Sequence, residues 1–241
     1  MLESPVIFMS QGADFHPNRK SYAHFDRPLA LNDARRLISD PDAIARHAFW
    51  PLIVNPQKVI RRKREQQSRV WHSKTRPICY AAHSDSLIYE YYAQQLRVRL
   101  EDIYTQLPSV NQAVLAYRQL EGNPSNVHFA KAAFDEMDAM GECEILAIDI
   151  EGFFDHLDHD HLKAAWCNLL NTHTLPHDHW AVFKAMTRSY AVTLPQIRDA
   201  FKGKARRRLG VDLGCICSPQ EFRTEVKPLL KPLPQVIAGL N

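Results

Sequence analysis

The sequence predicts an α+β fold in which helices predominate. Apolar residues recur at intervals of three and four, the spacing of one helix face, most clearly at Leu162, Ala165, Trp166, Leu169 and Leu170. Two shorter stretches have the composition of strands. Residues 71–80 begin basic and end apolar, and the run from Ile145 to Ile150 is aliphatic except at Ala147 and Asp149. Such a run is typical of a strand buried on both faces.

The elements follow in chain order. Residues 1–30 show no periodicity and are expected to be extended, and two short helices follow, the first capped by Asn32 and the second opened by Asp40. His47, after the second helix, is interpreted as a core or capping histidine. The basic stretch from Val59 to Arg69 indicates a solvated hairpin or loop before the strand at 71–80.

Five longer helices are predicted after this strand. Ser84 and Asp85 are expected to cap a helix that ends at Leu107–Pro108, and Asn126 is expected to cap the next one. Asp155 or Asp158 is expected to cap the helix around Leu162. The last two helices are predicted over residues 180–190 and 194–201.

Composition sets only broad limits. A chain of 241 residues with 45% hydrophobic residues can bury a substantial core, and its net charge of +3 is only mildly basic. Five cysteines without a C-x-x-C pair indicate free thiols in a reducing compartment. Neither a signal peptide nor a membrane-spanning segment is recognised, so a cytoplasmic protein without membrane contact is expected.

Charge is distributed unevenly along the chain. Residues 58–76 contain eight Lys or Arg and one acid, and residues 202–208 contain five Lys or Arg and no acid. Between them, residues 135–160 contain ten acids, while no Lys or Arg occurs between Lys131 and Lys163. Basic stretches beside an acidic one suit a nucleic acid held at a metal site, although solvated loops have the same composition. The candidates for phosphate contact are Arg61, Arg62, Lys63 and Arg64.

Residues 144–162 combine several features of a reactive site. A buried carboxylate without a partner is costly, so Asp149 is expected to face a cation or hydrogen-bond donors at the end of its strand. Gly152 allows a tight turn, and Phe153 and Phe154 supply two large apolar side chains. The acids around them suit divalent cations. An acidic solvated face with one structural aspartate explains the charge equally well.

The stretch Ala147-Ile-Asp-Ile-Glu-Gly-Phe-Phe-Asp-His-Leu-Asp-His159 resembles the first catalytic motif of bacterial reverse transcriptases, the group that includes group II intron, retron and phage-defence enzymes. By this resemblance Asp149 binds both catalytic magnesium ions, and the backbone carbonyl of Ile150 is a further metal ligand. The resemblance also places Gly152, Phe153 and Phe154 at the nucleotide, with Phe154 excluding the ribose 2′-hydroxyl.

The strand at residues 71–80 carries a second part of this resemblance. Lys74 and Arg76 match a K-x-R-x-I-like strand of the fingers, whose basic side chains face the incoming triphosphate. Guanidinium and ammonium groups are suitable phosphate partners, although edge strands often carry such charges without a ligand. Three connector pieces, at residues 116–118, 125–126 and 129–131, resemble the phage-defence branch of the family.

The resemblance implies an incomplete right-hand polymerase: a helical lead-in at residues 1–57, a fingers-like region at 58–142 and a partial palm at 143–241. It implies an RNA-directed DNA polymerase, a nucleotidyltransferase of bacterial antiviral defence. Such an enzyme uses an RNA template, a DNA or RNA primer and deoxynucleoside triphosphates, with Mg²⁺ or alternatively Mn²⁺.

The chain departs from the family pattern in one respect. It contains neither the G-x-P-Q-G-like loop nor the Y-x-D-D hairpin of these enzymes, and no Asp-Asp pair occurs in it. Two-metal phosphoryl transfer needs several carboxylates, and Asp149 alone does not supply them. The chain is therefore expected to be an N-terminal fragment that is inactive by itself and depends on a C-terminal half or a partner chain.

Two other functions stay open. The chain could be a non-catalytic nucleic-acid-binding module that works through its basic tracts. Alternatively, His and Asp residues could form a metal-dependent phosphohydrolase site, since His159-Asp160 and His177-Asp178 resemble the metal-ligand pairs of such enzymes. Four further histidines lie close to these pairs in the sequence, namely His156, His161, His173 and His179.

Overall fold

The computed structural model describes residues 15, 18, 20–65, 68–118, 120–122, 124–150, 152–202 and 215–238, without the side chains of residues 61–65, 68–70, 72, 154 and 155. The chain divides into two compact units. The first comprises residues up to Tyr92 and from Thr174 onward, and the second runs from Ala93 to His173. These limits differ from the predicted regions 1–57, 58–142 and 143–241, which concern polymerase subdomains and stay a prediction.

The first unit contains a four-stranded mixed sheet, which confirms the α+β class. Its strands are β1 (Leu52–Glu65), β2 (Ser68–Tyr80), β3 (Tyr190–Thr193) and β4 (Lys231–Pro232), in the spatial order β2-β1-β3-β4. Strand β1 is antiparallel to β2 and parallel to β3, and β3 is antiparallel to β4.

Strands β1 and β2 form a long hairpin, in which Glu65 pairs with Ser68. The hairpin predicted around residues 59–69 and the strand predicted at 71–80 are both confirmed. Only residues 52–54 of β1 also pair with β3, so the hairpin continues beyond them as a two-stranded ribbon. Ile60 and Trp71 on this ribbon are 58% and 65% exposed.

The main core lies on both faces of the sheet where β1 meets β3. Ile53 and Val192 face one core cluster, whose other buried members include Phe25, Ile197, Phe201 and Val226. Val54 and Ala191 face the other side and pack with Val236. Because side chains alternate along a strand, adjacent apolar residues cover both faces of the sheet.

The seven predicted helices largely agree with observed ones, because apolar periodicity and capping are local signals, while the helices at residues 108–113, 219–221 and 233–238 have no predicted counterpart. In chain order they are α1 (Leu31–Ile38), α2 (Pro41–Ala45), α3 (His83–Gln106), α4 (Pro108–Ala113), α5 (Asn126–Met140), α6 (His159–Leu169), α7 (His177–Thr187), α8 (Leu194–Ala200), α9 (Pro219–Glu221) and α10 (Leu233–Ala238). A π-helical turn (Phe222–Val226) and a 3₁₀ turn (Lys227–Leu229) follow α9.

Several caps differ from those predicted. Helix α1 begins one residue before Asn32, with Ala30 as its N-cap, and α5 is capped by Ser125 in a capping box with His128. Asp40 caps α2 as predicted, and of the two candidates Asp155 and Asp158 it is Asp158 that caps α6. At α3 the carboxylate of Asp26 accepts the backbone N–H groups of His83 and Ser84 at 2.8 Å each. A residue distant in sequence thus replaces the predicted cap.

The second unit does not contain the predicted buried strand. Residues 144–150 have no regular secondary structure, and every one of them is exposed. No described strand pairs with this segment, since the sheet consists of β1 to β4. A strand is stable only beside another strand, so an apolar sequence without a neighbouring strand cannot form it alone.

Candidate functional site

The aliphatic segment at residues 145–150, which includes the start of the motif, is exposed on both of its faces. Ile145, Leu146, Ile148 and Ile150 are 63%, 83%, 79% and 64% exposed. Asp149 is exposed as well. The expected position of Asp149, at the end of a buried strand, is therefore wrong for this structure, although its role as a metal ligand stays a prediction.

Gly152 forms the predicted tight turn after this segment. Its φ of 63° is left-handed, and it precedes the 3₁₀ turn Phe153–His156. A Cβ atom here would lie 2.8 Å from Nδ1 of His156, whose ring contacts the Gly152 carbonyl oxygen at 2.9 Å. The left-handed backbone conformation therefore favours glycine, and an added Cβ would also displace the exposed His156 ring.

The structure describes the side chain of Phe153 but not that of Phe154. Phe153 is 48% exposed, and its expected position at the nucleotide stays a prediction. The side chain of Phe154, the predicted sugar gate, lies outside the described part.

Asp158 has a structural role at the start of α6. Its Oδ1 atom accepts the backbone N–H groups of Asp160 and His161 at 2.8 and 2.9 Å. The hydrogen bond from the His161 N–H lowers the pKa of the Asp158 carboxyl, so the cap stays ionised. This carboxylate is therefore committed to helix capping.

The described residues do not by themselves form the two-magnesium site that the resemblance implies. Among them, no group of three or more His, Cys, Asp or Glu side chains is arranged to hold a metal ion. The Asp149 carboxylate and the Ile150 carbonyl belong to an exposed segment, and in the described part Asp149 is not a member of any group of three or more such side chains. A magnesium site at Asp149 therefore requires carboxylates from elsewhere.

Lys74 and Arg76 lie on the β1–β2 ribbon, and both are exposed. They are two residues apart in β2, so they project from the same face of the ribbon. Their cross-strand partners are Val59 and Gln57. Lys58 pairs with Thr75 and belongs to the opposite face. The ribbon thus presents an adjacent ammonium and guanidinium group to solvent, as a phosphate site would need.

The other predicted basic residues lie farther along the same ribbon. The backbone of Arg61, Arg62, Lys63 and Arg64 is part of β1, paired with residues 69–72 of β2. Their side chains lie outside the described part of the structure. Their proposed contact with nucleic acid therefore stays a prediction.

The histidine-rich residues give no support to a phosphohydrolase site. The described histidines form no metal-binding group with acids or cysteines. His179 instead packs edge-on against Tyr92, with ring centroids 4.7 Å apart, while Asp178 accepts a 2.5 Å hydrogen bond from the Tyr92 hydroxyl. These two residues therefore pack α7 against α3.

A buried polar cluster in the first unit was missed by the sequence analysis. Nε2 of His47 lies 2.7 Å from Oδ1 of Asp85, whose other oxygen accepts the Trp50 N–H at 2.7 Å. Nearby, His24 is completely buried, and burial lowers its pKa to about 4. The sequence indicated that His47 was structural, but no local pattern connects residues 38 positions apart.

The connector at residues 116–118 is held by Arg118. Its guanidinium Nη2 donates to Oε2 of Glu101 at 2.5 Å and to Oδ1 of Asn111 at 2.7 Å. It lies 4.6 Å from the centre of the Tyr104 ring. Because these contacts occupy Arg118, its side chain is interpreted as structural.

Beside Arg118, a cleft of about 450 Å³ is bordered by Tyr117, which has a φ of 60°.

Two findings concern the helices and the cysteines. None of the helices in the described part is long and apolar enough to cross a membrane, and the five cysteines are free thiols.

No protein-family model and no curated protein matches this chain, so its relationship to reverse transcriptases stays a prediction from its residues.

Proposed function

We propose that this chain contributes the fingers and the first palm segment of an RNA-directed DNA polymerase of bacterial antiviral defence. The observation that carries this proposal is the sequence of residues 147–159, in which an aspartate follows an aliphatic run and precedes Gly152 and two phenylalanines. The substrates would be an RNA template, a DNA or RNA primer and deoxynucleoside triphosphates.

The exposed ribbon supports the proposal. A polymerase must bind a triphosphate and a nucleic-acid backbone, both of which are polyanions. Lys74 and Arg76 project from one face of the ribbon and are accessible to such a ligand. Arg61 to Arg64 add four cationic residues to β1, and no acid occurs in the chain between Lys58 and Arg64.

The exposed apolar segment supports it in a different way. Leu146, Ile148 and Ile150 alternate with Ile145 and Ala147, so both faces of an extended chain would be apolar. Such a segment is stable inside a sheet that is covered on both faces. We infer that additional strands, from a polypeptide segment other than these 241 residues, pair with it and bring carboxylates to Asp149.

Primer extension by the assembly of this chain with that segment tests the proposal. Asp149→Asn keeps the shape of the side chain but removes its charge, and we expect extension to fall by at least about 100-fold, the order seen when a key electrostatic group is lost. Asp138→Asn, which neutralises an exposed acid on α5, is the matched control and should extend primers normally. Equal rates for both variants would exclude Asp149 from catalysis.

A non-catalytic nucleic-acid-binding module is the second candidate, favoured by the ribbon and by the absence of an Asp-Asp pair. It predicts binding that weakens steeply with salt and no primer extension with any added segment. Binding by Asp149→Asn at wild-type strength, together with an inactive wild-type assembly, would favour this candidate over the polymerase.

A further inference from the structure

A cleft between α2 and α7 in the first unit contains none of the residues assigned above to polymerisation. It has a volume of about 340 Å³ and is lined by Asp42, Ala45, Arg46, His177, Trp180, Ala181 and Lys184. Helices α2 and α7 pack against each other along this surface. The volume is within the range of roughly 300–1,000 Å³ that is usual for small-molecule sites.

The cleft combines cationic side chains with an aromatic ring. Arg46, His177 and Lys184 are all exposed. Among the described residues, neither Arg46 nor Lys184 forms an ion pair with an acid, although Asp42 lines the same cleft. Both side chains therefore keep their charge available for a ligand.

Trp180 occupies a fixed position in this cleft. It is half-buried, and its ring is stacked with that of Phe183 at 5.6 Å and 18°. Phe183 is itself buried, with 5% of its surface exposed. Packing against a buried ring fixes the indole, so a flat ligand that stacks on it loses little entropy by ordering the side chain.

We propose that this cleft binds one nucleotide unit of a single-stranded nucleic acid. The base stacks on Trp180, while Arg46 and Lys184 contact the phosphates. A cationic groove with a stacking platform is the usual design for single-strand binding. Asp42 adds one hydrogen-bond acceptor, which suits a sugar hydroxyl or an exocyclic amine and which a site for phosphate alone would not need.

A strand fits the cleft better than a free nucleotide. Its two cationic residues, Arg46 and Lys184, are exposed rather than enclosed, so the nucleic-acid strand can continue past the cleft on either side. Affinity then comes from successive phosphates and depends on salt. The inference holds for a polymerase and for a non-catalytic binding module alike, because it depends on binding alone.

Fluorescence anisotropy of a labelled oligouridylate with the full chain tests the inference. In about 0.1 M salt, where surface charges still act at roughly 10 Å, we expect Arg46→Ala/Lys184→Ala to bind at least tenfold more weakly. Loss of two phosphate contacts should reduce the slope of log affinity against log salt by about 1.4. Arg36→Ala/Lys231→Ala removes the same charge from exposed positions outside the cleft and should change binding less than twofold.

Stacking is tested separately with Trp180→Leu, which keeps an apolar side chain against Phe183. Loss of one stacked base should weaken binding by roughly 5-fold to 100-fold. Circular dichroism of each variant verifies its fold, and the cation variant changes only exposed positions. The inference is wrong if the cation variant binds like its control with an unchanged salt slope. Competition by uridine monophosphate at the affinity of the oligonucleotide would also overturn it, since the ligand would then be a free nucleotide.

Asp149→Asn separates this inference from the proposed function. That variant should bind the oligouridylate as the wild type does, even if it abolishes primer extension. Loss of binding with Asp149→Asn but not with the cleft variants would overturn the assignment of the cleft. Normal extension by Asp149→Asn would instead overturn the proposed catalytic role and leave the cleft assignment intact.

Discussion

The Nε2 atom of His47 lies 2.7 Å from Oδ1 of Asp85, a carboxylate with a side-chain exposure of 1%. The second oxygen of Asp85 accepts the backbone N–H of Trp50, just before β1. One buried side chain thus connects the first turn of α3 to the residues that lead into the sheet. The buried carboxyl group is accommodated because hydrogen-bonding partners surround it.

Asp85→Ala should destabilise the first unit strongly. The substitution leaves the Trp50 N–H and the His47 ring without an acceptor in a buried site, at a cost of about 3 kcal/mol in the free energy of unfolding. Urea denaturation measures this change. Asp33→Ala removes an exposed ion pair with Arg36 and should have almost no effect. Similar stability of the two variants would show that the Asp85 contacts contribute little.

Acidification should destabilise the fold through His24. Burial lowers the pKa of this side chain to about 4, below its ordinary value of 6.5, so the folded state favours neutral imidazole. The unfolded state then binds more protons between these values, and stability is lost as the pH falls from 6.5 to about 4. The full loss is about 3 kcal/mol.

Denaturation of wild type and of His24→Gln across this pH window measures the effect. Glutamine retains a donor for the Tyr80 carbonyl, which lies 3.2 Å from Nε2 of His24, but it does not titrate. We expect a flatter dependence of unfolding free energy on pH in the variant. Parallel curves would assign the acid sensitivity to other groups.

Several elements could be predicted from the sequence because their signals are local. The α6 cap at Asp158 and the strand at residues 71–80 are encoded by neighbouring residues. The contact of His47 with Asp85 is not, because it depends on tertiary packing. At residues 145–150 the sequence pattern predicts a buried strand, but these residues are exposed, because a strand needs a neighbour and none of the described strands supplies one.

Gly152→Ala should loosen the turn within the motif. Alanine carries a cost of about 1 kcal/mol in the left-handed region, and its Cβ would also lie 2.8 Å from His156 Nδ1. Gly141→Ala is the control for a positive-φ glycine outside this turn: Gly141 has a φ of 72° and a ψ of −125°, against 63° and 27° at Gly152, and no described atom lies within 4 Å of its added Cβ. Hydrogen exchange at the His156 amide, which donates to the Gly152 carbonyl, should accelerate in Gly152→Ala and not in Gly141→Ala.

His156→Ala tests the close approach itself. In the Gly152→Ala background it removes the ring that the new Cβ would meet, so exchange at residue 156 should slow again in part. If the double variant exchanges as fast as Gly152→Ala alone, the backbone conformation accounts for the whole effect.

We predict that substitutions on the two faces of the β1–β2 ribbon have different effects on triphosphate binding. In a complete polymerase, Lys74→Ala/Arg76→Ala should raise the KM for deoxynucleoside triphosphates by at least tenfold, because two charge-assisted phosphate contacts are lost. Lys58→Ala lies on the opposite face and should leave this KM unchanged. Steady-state primer extension at varied triphosphate concentration distinguishes the two. Equal effects would indicate a general electrostatic field instead of a defined site.

Substitutions in the exposed apolar segment should not affect the stability of the isolated chain. Leu146 and Ile148 are 83% and 79% exposed, so Leu146→Ser/Ile148→Ser should change the free energy of unfolding by less than about 0.5 kcal/mol. Ile53→Ala, in the core of the sheet, should cost about 3 kcal/mol. The serine variant should also self-associate less as concentration rises, because exposed apolar surface promotes association. A loss of several kcal/mol in the serine variant would instead mean that residues 145–150 are buried in solution, as their sequence pattern predicts.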